Sequence, residues 1–255
     1  MKILIRAVFC FALTFLKSQT RVNQVSVLEV KYNFKYLADT LDARSIISEP
    51  MVLLTNNQTS IYYSENKKIF DEGFRKQIDA AIKTGSVVEP GKLPIAKVRH
   101  SVYKKDQDVY ISNYLVSHLY TYASAKIVWQ IDPSQTKDIS GYRCTKATTR
   151  IDKRNYIAWF TYDIPISDGP YKFKGLPGLI LSLYDEHNYF EFEMLSISKT
   201  ALPIEYRKGI PVTQEQYVKK RNEYINDPSQ GKMNTPEYRK RIEDNKKKYN
   251  NFLEN

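Results

Sequence analysis

The sequence predicts a mainly β protein: a curved antiparallel sheet, or an open barrel-like meander of long hairpins, with a short internal helix and a helical C-terminal tail. Aromatic residues make up 13% of the 255 residues and include 20 tyrosines, which supplies ample packing surface. Apolar and polar residues alternate with a period of two in several segments, as in half-buried strands. The connections between these segments are short, which favours antiparallel pairing. The 9 glycines and 11 prolines are too few for a collagen-like or disordered chain.

The first 18 residues have the pattern of a secretory signal peptide. Lys2 and Arg6 precede an apolar run at 7–16, and Ser18 is a small residue suited to the position before the cleavage site. The run is shorter than the about 20 residues that a membrane-spanning helix needs, so we expect no transmembrane segment in the mature chain. Cys10 leaves open a lipid anchor, although it lies inside the apolar run. We therefore expect an exported protein, periplasmic or secreted, that is cleaved after Ser18.

Export would leave a basic protein with a single thiol. The chain has 39 Lys and Arg against 28 Asp and Glu, and removal of the leader takes away Cys10. Cys144 then has no partner for an intramolecular disulfide, so stability must come from packing. We expect Cys144 to be a small buried hydrophobe; a reactive thiol beside Arg143 and Lys146 is the alternative.

An antiparallel β domain is predicted over residues 19–205. A strand at 30–36 is followed by a hairpin of 51–55 and 61–64. The pattern then changes to helical spacing, and we predict a short helix from an N-cap at Asp71 to Gly85. Further strands are predicted at 96–103, 109–116 and 126–131. Two long hairpins follow, of 141–151 with 155–162 and of 179–184 with 189–197. The proline-interrupted segment 163–170 between them is expected to cross an end of the sheet.

A helical tail is predicted for residues 206–255. Thr213 and Gln216 have the spacing of a capping box, so the first helix should begin there and end before Asp227. A second helix should be capped by Thr235. Its narrow apolar stripe is formed by Tyr238, Ile242, Tyr249 and Leu253. This stripe indicates a solvated helix lying on the sheet, or alternatively a helix that contacts a partner or a membrane surface.

Residues 175–180 read Gly-Leu-Pro-Gly-Leu-Ile, and in this motif the chain resembles the GLPGLI family of exported proteins of Gram-negative bacteria. The resemblance covers about residues 139–199. Segments that match in the same order are 141–147, 158–161, 164–166 and 169–173. It implies an envelope location and a mostly antiparallel β architecture. It implies no chemistry, because the family has no established activity.

The motif itself has the residues of a tight turn before a strand. Gly175 and Gly178 permit positive φ, Pro177 fixes one φ, and Leu176 and Leu179 can anchor the turn in a core. A backbone nest that binds an anion is the alternative interpretation. The motif lacks the spacing of a phosphate-binding loop and no helical pattern follows it, which argues against nucleotide binding.

No catalytic or metal-binding pattern is found, so we predict no catalytic residue, no metal ligand and no cofactor. The three histidines, His100, His118 and His187, have no metal-ligand spacing, and His187 lies at a predicted hairpin tip. Asp163 and Asp168 could form a carboxylate pair for glycoside chemistry, but turn capping is the favoured role. No nucleophile elbow is present.

Basic residues concentrate in the segment that resembles the GLPGLI family. They are Arg143, Lys146, Arg150, Lys153, Arg154, Lys172 and Lys174. We interpret them as the solvated outer face of a sheet, or as a surface attracted to anionic envelope components, and not as a nucleic-acid site.

Two functions remain open, and the specific partner is unknown. The favoured one is a non-enzymatic binding or accessory module that holds an apolar or extended, peptide-like ligand, or docks an outer-membrane complex. It predicts a concave interior lined by apolar and aromatic side chains. The alternative is an enzyme of unrecognised type centred on the loop from Asp163 to Gly178, which predicts an aspartate with a perturbed pKa in a polar cleft.

Overall fold

The structure, a computed structural model, describes residues 24–254. The predicted signal peptide at 1–18 lies outside the described residues. Within them the chain forms one open sheet of twelve strands, mainly antiparallel, and three helices. The predicted mainly β class is confirmed.

Strands and helices make up more than half of the described residues. The strands are β1 (Leu28–Leu37), β2 (Ile46–Thr55), β3 (Thr59–Ser64), β4 (Ser101–Lys105), β5 (Asp108–Leu115), β6 (His118–Ala123), β7 (Gln130–Ile139), β8 (Tyr142–Ile151), β9 (Arg154–Thr161), β10 (Leu179–Asp185), β11 (Phe190–Lys199) and β12 (Ile210–Pro211). The helices are α1 (Glu65–Thr84), α2 (Gln214–Asn226) and α3 (Pro236–Lys248).

The sheet consists of two meanders joined at β1. Its strand order is β12-β6-β5-β4-β3-β2-β1-β11-β10-β9-β8-β7. Neighbouring strands are antiparallel except the short β12, which runs parallel to β6. The long-range pairing of β1 with β11 joins the meanders, with Leu28 opposite Lys199 and Tyr36 opposite Phe190. The other antiparallel neighbours are consecutive strands in the chain. Most are joined by short connections, as predicted, but residues 65–100 separate β3 from β4 and residues 162–178 separate β9 from β10.

The sheet curves strongly, which can be inferred from aromatic contacts between distant strands. His100, just before β4, lies 4.8 Å from Tyr171, measured between ring centroids. Tyr171 lies 6.2 Å from Phe173, and Phe173 lies 4.8 Å from Tyr156 of β9. In a flat sheet, the six strand spacings between β4 and β9 would separate them by roughly 29 Å. Two rings bridge that span, so the two halves of the sheet face each other across a common interior.

The concave side, called the inner face below, holds the main core. On β1 the alternate side chains of Val30, Tyr32 and Phe34 are at most 1% exposed, while those between them are half-buried. Phe34 stacks on Phe192 of β11 with ring centroids 4.3 Å apart. A smaller apolar cluster on the convex side consists of Val52, Leu54, Ile61 and Ile204. The period-two burial predicted for β1 is confirmed.

Helix α1 begins earlier than the sequence predicted. Ser64, the last residue of β3, is its N-cap: the Ser64 Oγ accepts the N–H of Lys67 at 3.0 Å. The predicted N-cap at Asp71 is wrong; that carboxylate instead pairs with Lys67 one turn before it. The strand therefore leads into the helix without a loop. The predicted end is confirmed, because Gly85 has φ +70° and its N–H donates to the Ala81 carbonyl.

The two C-terminal helices have the predicted caps. Thr213 and Gln216 form the capping box of α2, and Thr235 accepts the N–H of Tyr238 at the start of α3. The second helix ends at Lys248, so the predicted continuation of its stripe to Leu253 is wrong. Leu253 leaves the helical pattern and packs against the main core.

Several strand predictions were shifted or missed. Strand β4 begins at Ser101, and residues 96–100 are irregular; residues 126–129 are irregular as well, and β7 runs from Gln130 to Ile139. Pro133 is tolerated in β7 because this strand lies at the sheet edge and its register shifts between Asp132 and Thr136. Strand β6, whose polar and aromatic residues are mixed, was not predicted.

Candidate binding pocket

The loop between β9 and β10, residues 163–178, enters the core. Every residue from 168 to 174 is buried, and Phe173 contacts the rings of Tyr156 and Phe192. Residues 163–167 are exposed or half-buried, and the Ser167 N–H donates to Asn57 in the β2–β3 turn, whereas the chain is buried from Asp168 to Lys174. The burial of 168–170 was not predicted from the sequence. The physical reason is that Tyr171 and Phe173 place large apolar side chains at alternate positions, and these bury best on the inner face. We call residues 163–178 the motif loop.

The end of the motif loop is the predicted turn before a strand. Leu176 is 1% exposed and anchors the turn in the core, and Gly175 has φ +95°. Gly178 is needed for another reason: it has no positive φ, but a Cβ at this position would clash with the carbonyl oxygen of Thr161. The turn interpretation of the motif is confirmed, with close backbone approach as the role of its second glycine.

Asp168 lies at the centre of a buried ion cluster. The Lys174 Nζ lies 2.5 Å from the Asp168 Oδ1, and the Lys104 Nζ lies 3.2 Å from the Asp168 Oδ2. The Thr55 hydroxyl also donates to Oδ2 at 3.0 Å. Side chains of all three charged residues are at most 6% exposed. The cluster therefore joins Lys104 of β4 to Asp168 and Lys174 of the motif loop.

The charges of the cluster decide the ionisation of Asp168. Burial alone would raise its pKa, but the Lys174 and Lys104 charges outweigh burial and lower the pKa to about 2. Both carboxylate oxygens are thus ionised and already accept strong hydrogen bonds. Asp163 is exposed and shows no such contacts. The two aspartates therefore occupy different environments, and Asp168 acts as a structural counter-ion that ties the loop to the sheet.

The histidines lie on three different elements. His100 is packed against Tyr171, and burial lowers its pKa to about 4. His118 is exposed at the start of β6. His187 is exposed at the tip of the β10–β11 hairpin, as predicted, with its Nε2 3.7 Å from Glu186. Among residues 24–254 no group of three or more His, Cys, Asp or Glu is placed to hold a metal ion.

Cys144 is a core residue of β8. Its side chain is buried, and burial raises the pKa of its thiol to about 11. The predicted small buried hydrophobe is confirmed, and the neighbouring Arg143 and Lys146 do not activate it.

A cavity of about 310 Å³, the inner pocket, opens on the inner face between β1, β5, β11 and α2. Its wall is largely aromatic, and the chain segment that follows α3 lies in it. The lining consists of Phe34, Tyr36, Val98, His100, Tyr114, Leu115, Tyr171, Phe190, Tyr217, Arg221 and 251–254, together with the polar residues Lys97, Arg99 and Asn113. This volume is at the lower end of the range of small-molecule and peptide sites.

A carboxylate-binding group forms one end of the inner pocket. The Glu254 Oε1 accepts hydrogen bonds from the Tyr171 hydroxyl at 2.5 Å and the Lys172 Nζ at 2.7 Å. Its Oε2 accepts one from the Gln214 amide at 2.7 Å, and the Arg221 guanidinium donates to the Glu254 carbonyl at 2.6 Å. Burial, followed by the Glu254 charge, raises the pKa of Tyr171 well above its usual value, so Tyr171 stays a hydroxyl donor.

Three buried polar atoms beside the inner pocket have no hydrogen-bond partner within the described residues: the hydroxyls of Tyr62 and Tyr122 and the Nε2 of His100. Tyr62 lies behind His100 with ring centroids 6.4 Å apart, and Tyr122 stacks on Tyr217 at 5.1 Å. Buried polar groups in native proteins usually have partners. Of the three residues, His100 lines the inner pocket, whereas Tyr62 and Tyr122 lie behind its wall.

Four other grooves are larger, and the two of them with the most apolar surface also carry many polar residues. One of about 770 Å³ lies between residues 124–130 and the strands β8 and β9, and its wall is rich in Ser, Thr, Lys and Gln. The other, of about 550 Å³, lies between α1 and the sheet and carries many charged residues. The acidic residues that line these two grooves are exposed, whereas Glu254 in the inner pocket is buried. The inner pocket is the candidate site.

Sequence reasoning missed the charged side of this site. The sequence predicts Lys172 and Lys174 on an outer basic face, but their side chains are only 6% exposed, so this prediction is wrong for both residues. The correct signal was present: Lys172 and Lys174 alternate with Tyr171 and Phe173, and Asp168 precedes them within one short loop. Glu254 gave no signal, because nothing in its local sequence relates it to a residue 82 positions earlier.

In the part of the chain that the structure describes, none of the helices combines the length and apolar character required to cross a bilayer. The fold and the site together define a class: a mainly β protein whose open, curved sheet encloses an aromatic pocket closed by its own chain.

A family model described as a protein of unknown function (Porph_ging) matches residues 150–182. The match covers the end of β8, β9, the motif loop and the start of β10, a short part of the chain. No curated protein matches the sequence.

Solved structures show where this fold occurs elsewhere. The chain is similar to PNGF-II in a P21 crystal form, with a TM-score of 0.52 and 16% identity over 78% of this chain and 34% of that chain. A C2 crystal form of PNGF-II gives a TM-score of 0.51 and 17% identity over 78% and 33%. The chain thus spans about a third of PNGF-II, and at this identity the likeness concerns the fold alone. A LolA superfamily protein from Nitrosomonas europaea matches with a TM-score of 0.29 and 10% identity, over 70% of this chain and 88% of that chain.

Proposed function

We propose that this protein is an exported binding module of the GLPGLI type, which holds an apolar or extended ligand in the inner pocket without catalysing a reaction. The observation that carries the proposal is the aromatic wall of a pocket on the concave side of the sheet. Phe34, Tyr36, Phe190 and Tyr217 line the same cavity. Aromatic side chains bind apolar surface through large contact areas and orient it through their edges and hydroxyls.

The rigidity of the wall supports this role. Phe34 and Phe190 belong to the β1–β11 pair that joins the two meanders, and they are 1% exposed. Tyr217 is held on α2 and stacks on Tyr122 of the sheet. Because the wall is built from packed elements, ligand binding would not need to order it, which favours affinity.

The enzymatic alternative has less support from the same region. The motif loop contributes a buried ion cluster in which both oxygens of Asp168 are already hydrogen bonded. A general acid or base needs a pKa near the working pH. The pKa of Asp168 is about 2, and the group faces the core instead of a cleft.

The proposal is tested with a fluorescent apolar probe, 1-anilinonaphthalene-8-sulfonate, titrated into the purified mature chain. We expect saturable binding that Leu115→Trp weakens about tenfold, because Leu115 is half-buried in the pocket wall and a larger ring would fill the cavity. The matched control is Leu195→Trp on β11, where Leu195 is 61% exposed. Equal probe binding by the two variants and the unchanged chain would place the probe elsewhere and refute the proposal.

Export is tested separately. N-terminal sequencing of the protein recovered from the envelope of expressing Gram-negative cells is expected to begin at Gln19. Recovery of the uncleaved chain from the cytoplasm would contradict the exported location.

A further inference from the structure

The segment 250–254 occupies the inner pocket in the manner of a bound peptide. It follows α3 without forming helix or strand. The Asn250 N–H donates to the Ala38 carbonyl at 3.1 Å, and the Asn251 side-chain amide donates to the Leu37 carbonyl at 2.8 Å. These contacts fix the path of the segment along the end of β1.

Two apolar side chains of the segment cover the pocket. Phe252 lies under the Arg221 guanidinium, whose central carbon is 4.3 Å from the ring centroid. Leu253 packs against the main core. Both side chains are half-buried. The segment therefore closes the pocket without filling it, since a cavity of about 310 Å³ remains beside it.

The Glu254 carboxylate is the counter-ion of a buried ammonium group, that of Lys172. Lys172 is only 6% exposed, and among the described residues Glu254 is the carboxylate in salt-bridge contact with it. A buried ammonium without a partner is strongly destabilised. Tyr171 and Gln214 direct two more donors at the same carboxylate. This end of the pocket is therefore built to bind an anion, whichever chain supplies it.

We propose that the inner pocket recognises an extended peptide in which apolar residues precede a carboxylate, and that the segment 250–254 is its built-in competitor. This inference rests on the proposed binding function and names the class of ligand. A peptide is favoured over a lipid because the Ala38 carbonyl accepts the backbone N–H of Asn250, and the Leu37 carbonyl accepts the side-chain amide of Asn251. An acyl chain has no donors for these positions.

The test uses the full chain and a fluorescein-labelled peptide with the sequence of residues 250–255, followed by fluorescence anisotropy. The opened variant carries Leu253→Ala and Glu254→Gln, which weaken the built-in segment. We expect it to bind the peptide at least tenfold more tightly than the unchanged chain, because the competitor is removed. A peptide with Gln in place of its Glu should bind about tenfold more weakly, which is the loss of one charged hydrogen bond.

Control variants distinguish recognition of the peptide carboxylate by Lys172 from nonspecific binding to the opened pocket. Adding Lys172→Met to the opened variant should weaken peptide binding about tenfold, whereas Lys105→Met, at an exposed position of β4, should leave it unchanged. Circular dichroism and the melting temperature establish that each variant is folded. The single variant Glu254→Gln, which keeps the shape of the side chain, replaces the opened variant if that one does not fold.

The outcomes distinguish this inference from the proposed function. A folded opened variant that binds the apolar probe but not the peptide overturns the peptide inference and leaves the binding module in place. If neither probe nor peptide binds, both proposals fail. Unfolding by Glu254→Gln alone would make the segment part of the core and would also overturn the inference.

Discussion

Lys174 places its ammonium 2.5 Å from the Asp168 carboxylate, and both groups lie in the core. They stand six residues apart in the motif loop, so their pairing closes the loop on itself. Lys104 adds a second ammonium from β4. Three buried charges thus carry a net positive charge, and Asp168 is the group on which both lysines depend.

Replacing Asp168 by Asn should destabilise the fold by about 3–5 kcal/mol, because two buried ammonium groups lose their counter-ion. The free energy of unfolding is measured by urea denaturation followed by circular dichroism. Asp163→Asn in the same loop is the control; Asp163 is exposed, and a change within about 0.5 kcal/mol is expected. Equal effects of the two substitutions would show that the ion cluster does not hold the loop.

The lysines of the cluster should be less critical than the aspartate. Lys104→Met leaves the Asp168–Lys174 pair intact and removes the excess positive charge. We therefore expect a loss smaller than that of Asp168→Asn, measured by the same urea denaturation. Burial, opposed by Asp168, lowers the pKa of Lys174, so this ammonium needs the nearby carboxylate to stay charged. A loss from Lys104→Met that exceeds the loss from Asp168→Asn would contradict the assignment of Asp168 as the common partner.

His100 should make stability depend on pH. Burial lowers its pKa from 6.5 to about 4, so the folded protein keeps it neutral while the unfolded chain binds a proton below about pH 6.5. The unfolded state then holds more protons between these values, and the free energy of unfolding falls as the pH falls from about 6.5 to 4, by up to about 3 kcal/mol. Urea denaturation at a series of pH values measures this slope.

The matched pair for this pH effect is His100→Gln and His187→Gln. His187 is 61% exposed at a hairpin tip, so its replacement should leave the slope unchanged, whereas His100→Gln should reduce it. A proton resonance of His100 that titrates near pH 6.5 in the folded protein would show that the histidine is solvated and would refute the prediction.

The sheet could be predicted from sequence where local chemistry decides the structure. The alternation of Val30, Tyr32 and Phe34 with polar residues defined β1, and the spacing of Thr213 and Gln216 defined the start of α2. These signals are local, because strand periodicity and capping depend on neighbours in the chain. Helix α1 shows the limit: Ser64 and Asp71 are both good caps, and the structure uses the one adjacent to the strand.

The candidate site could not be predicted, because long-range pairs build it. Lys172 has the local sequence of a surface residue, but its buried ammonium lies 2.7 Å from the Glu254 carboxylate. Its burial depends on the curvature of the sheet and on the path of residues 250–254, and neither has a periodic pattern. The tyrosine content predicts an aromatic interior, but it does not indicate which positions line the pocket.

Cys144 should be unreactive in the folded protein. Its thiol is buried and its pKa is about 11, so the thiolate fraction near neutral pH is very small. In a Cys10→Ser background, which leaves Cys144 as the chain's only thiol, we expect no reaction with 5,5′-dithiobis(2-nitrobenzoic acid) in buffer and stoichiometric reaction in urea. Fast labelling without denaturant would show that strand β8 is accessible at this position and would restore the reactive-thiol alternative.

Replacing either glycine of the motif should lower the free energy of unfolding, but for different physical reasons. Gly178→Ala inserts a Cβ against the Thr161 carbonyl of β9, so the turn and the neighbouring strand must separate, at a cost of about 1–3 kcal/mol. Gly175→Ala meets no atom, but at φ +95° it strains the backbone by about 1–2 kcal/mol. Gly91→Ala, at an open position without positive φ, is the control and should change the free energy of unfolding by less than about 0.5 kcal/mol. Urea denaturation gives all three values.

Because Gly178 holds β9 against the start of β10, its replacement should also speed hydrogen exchange of the amides in both strands, whereas Gly175→Ala should affect only the motif loop. The same exchange pattern for both variants would contradict the separate roles assigned to the two glycines.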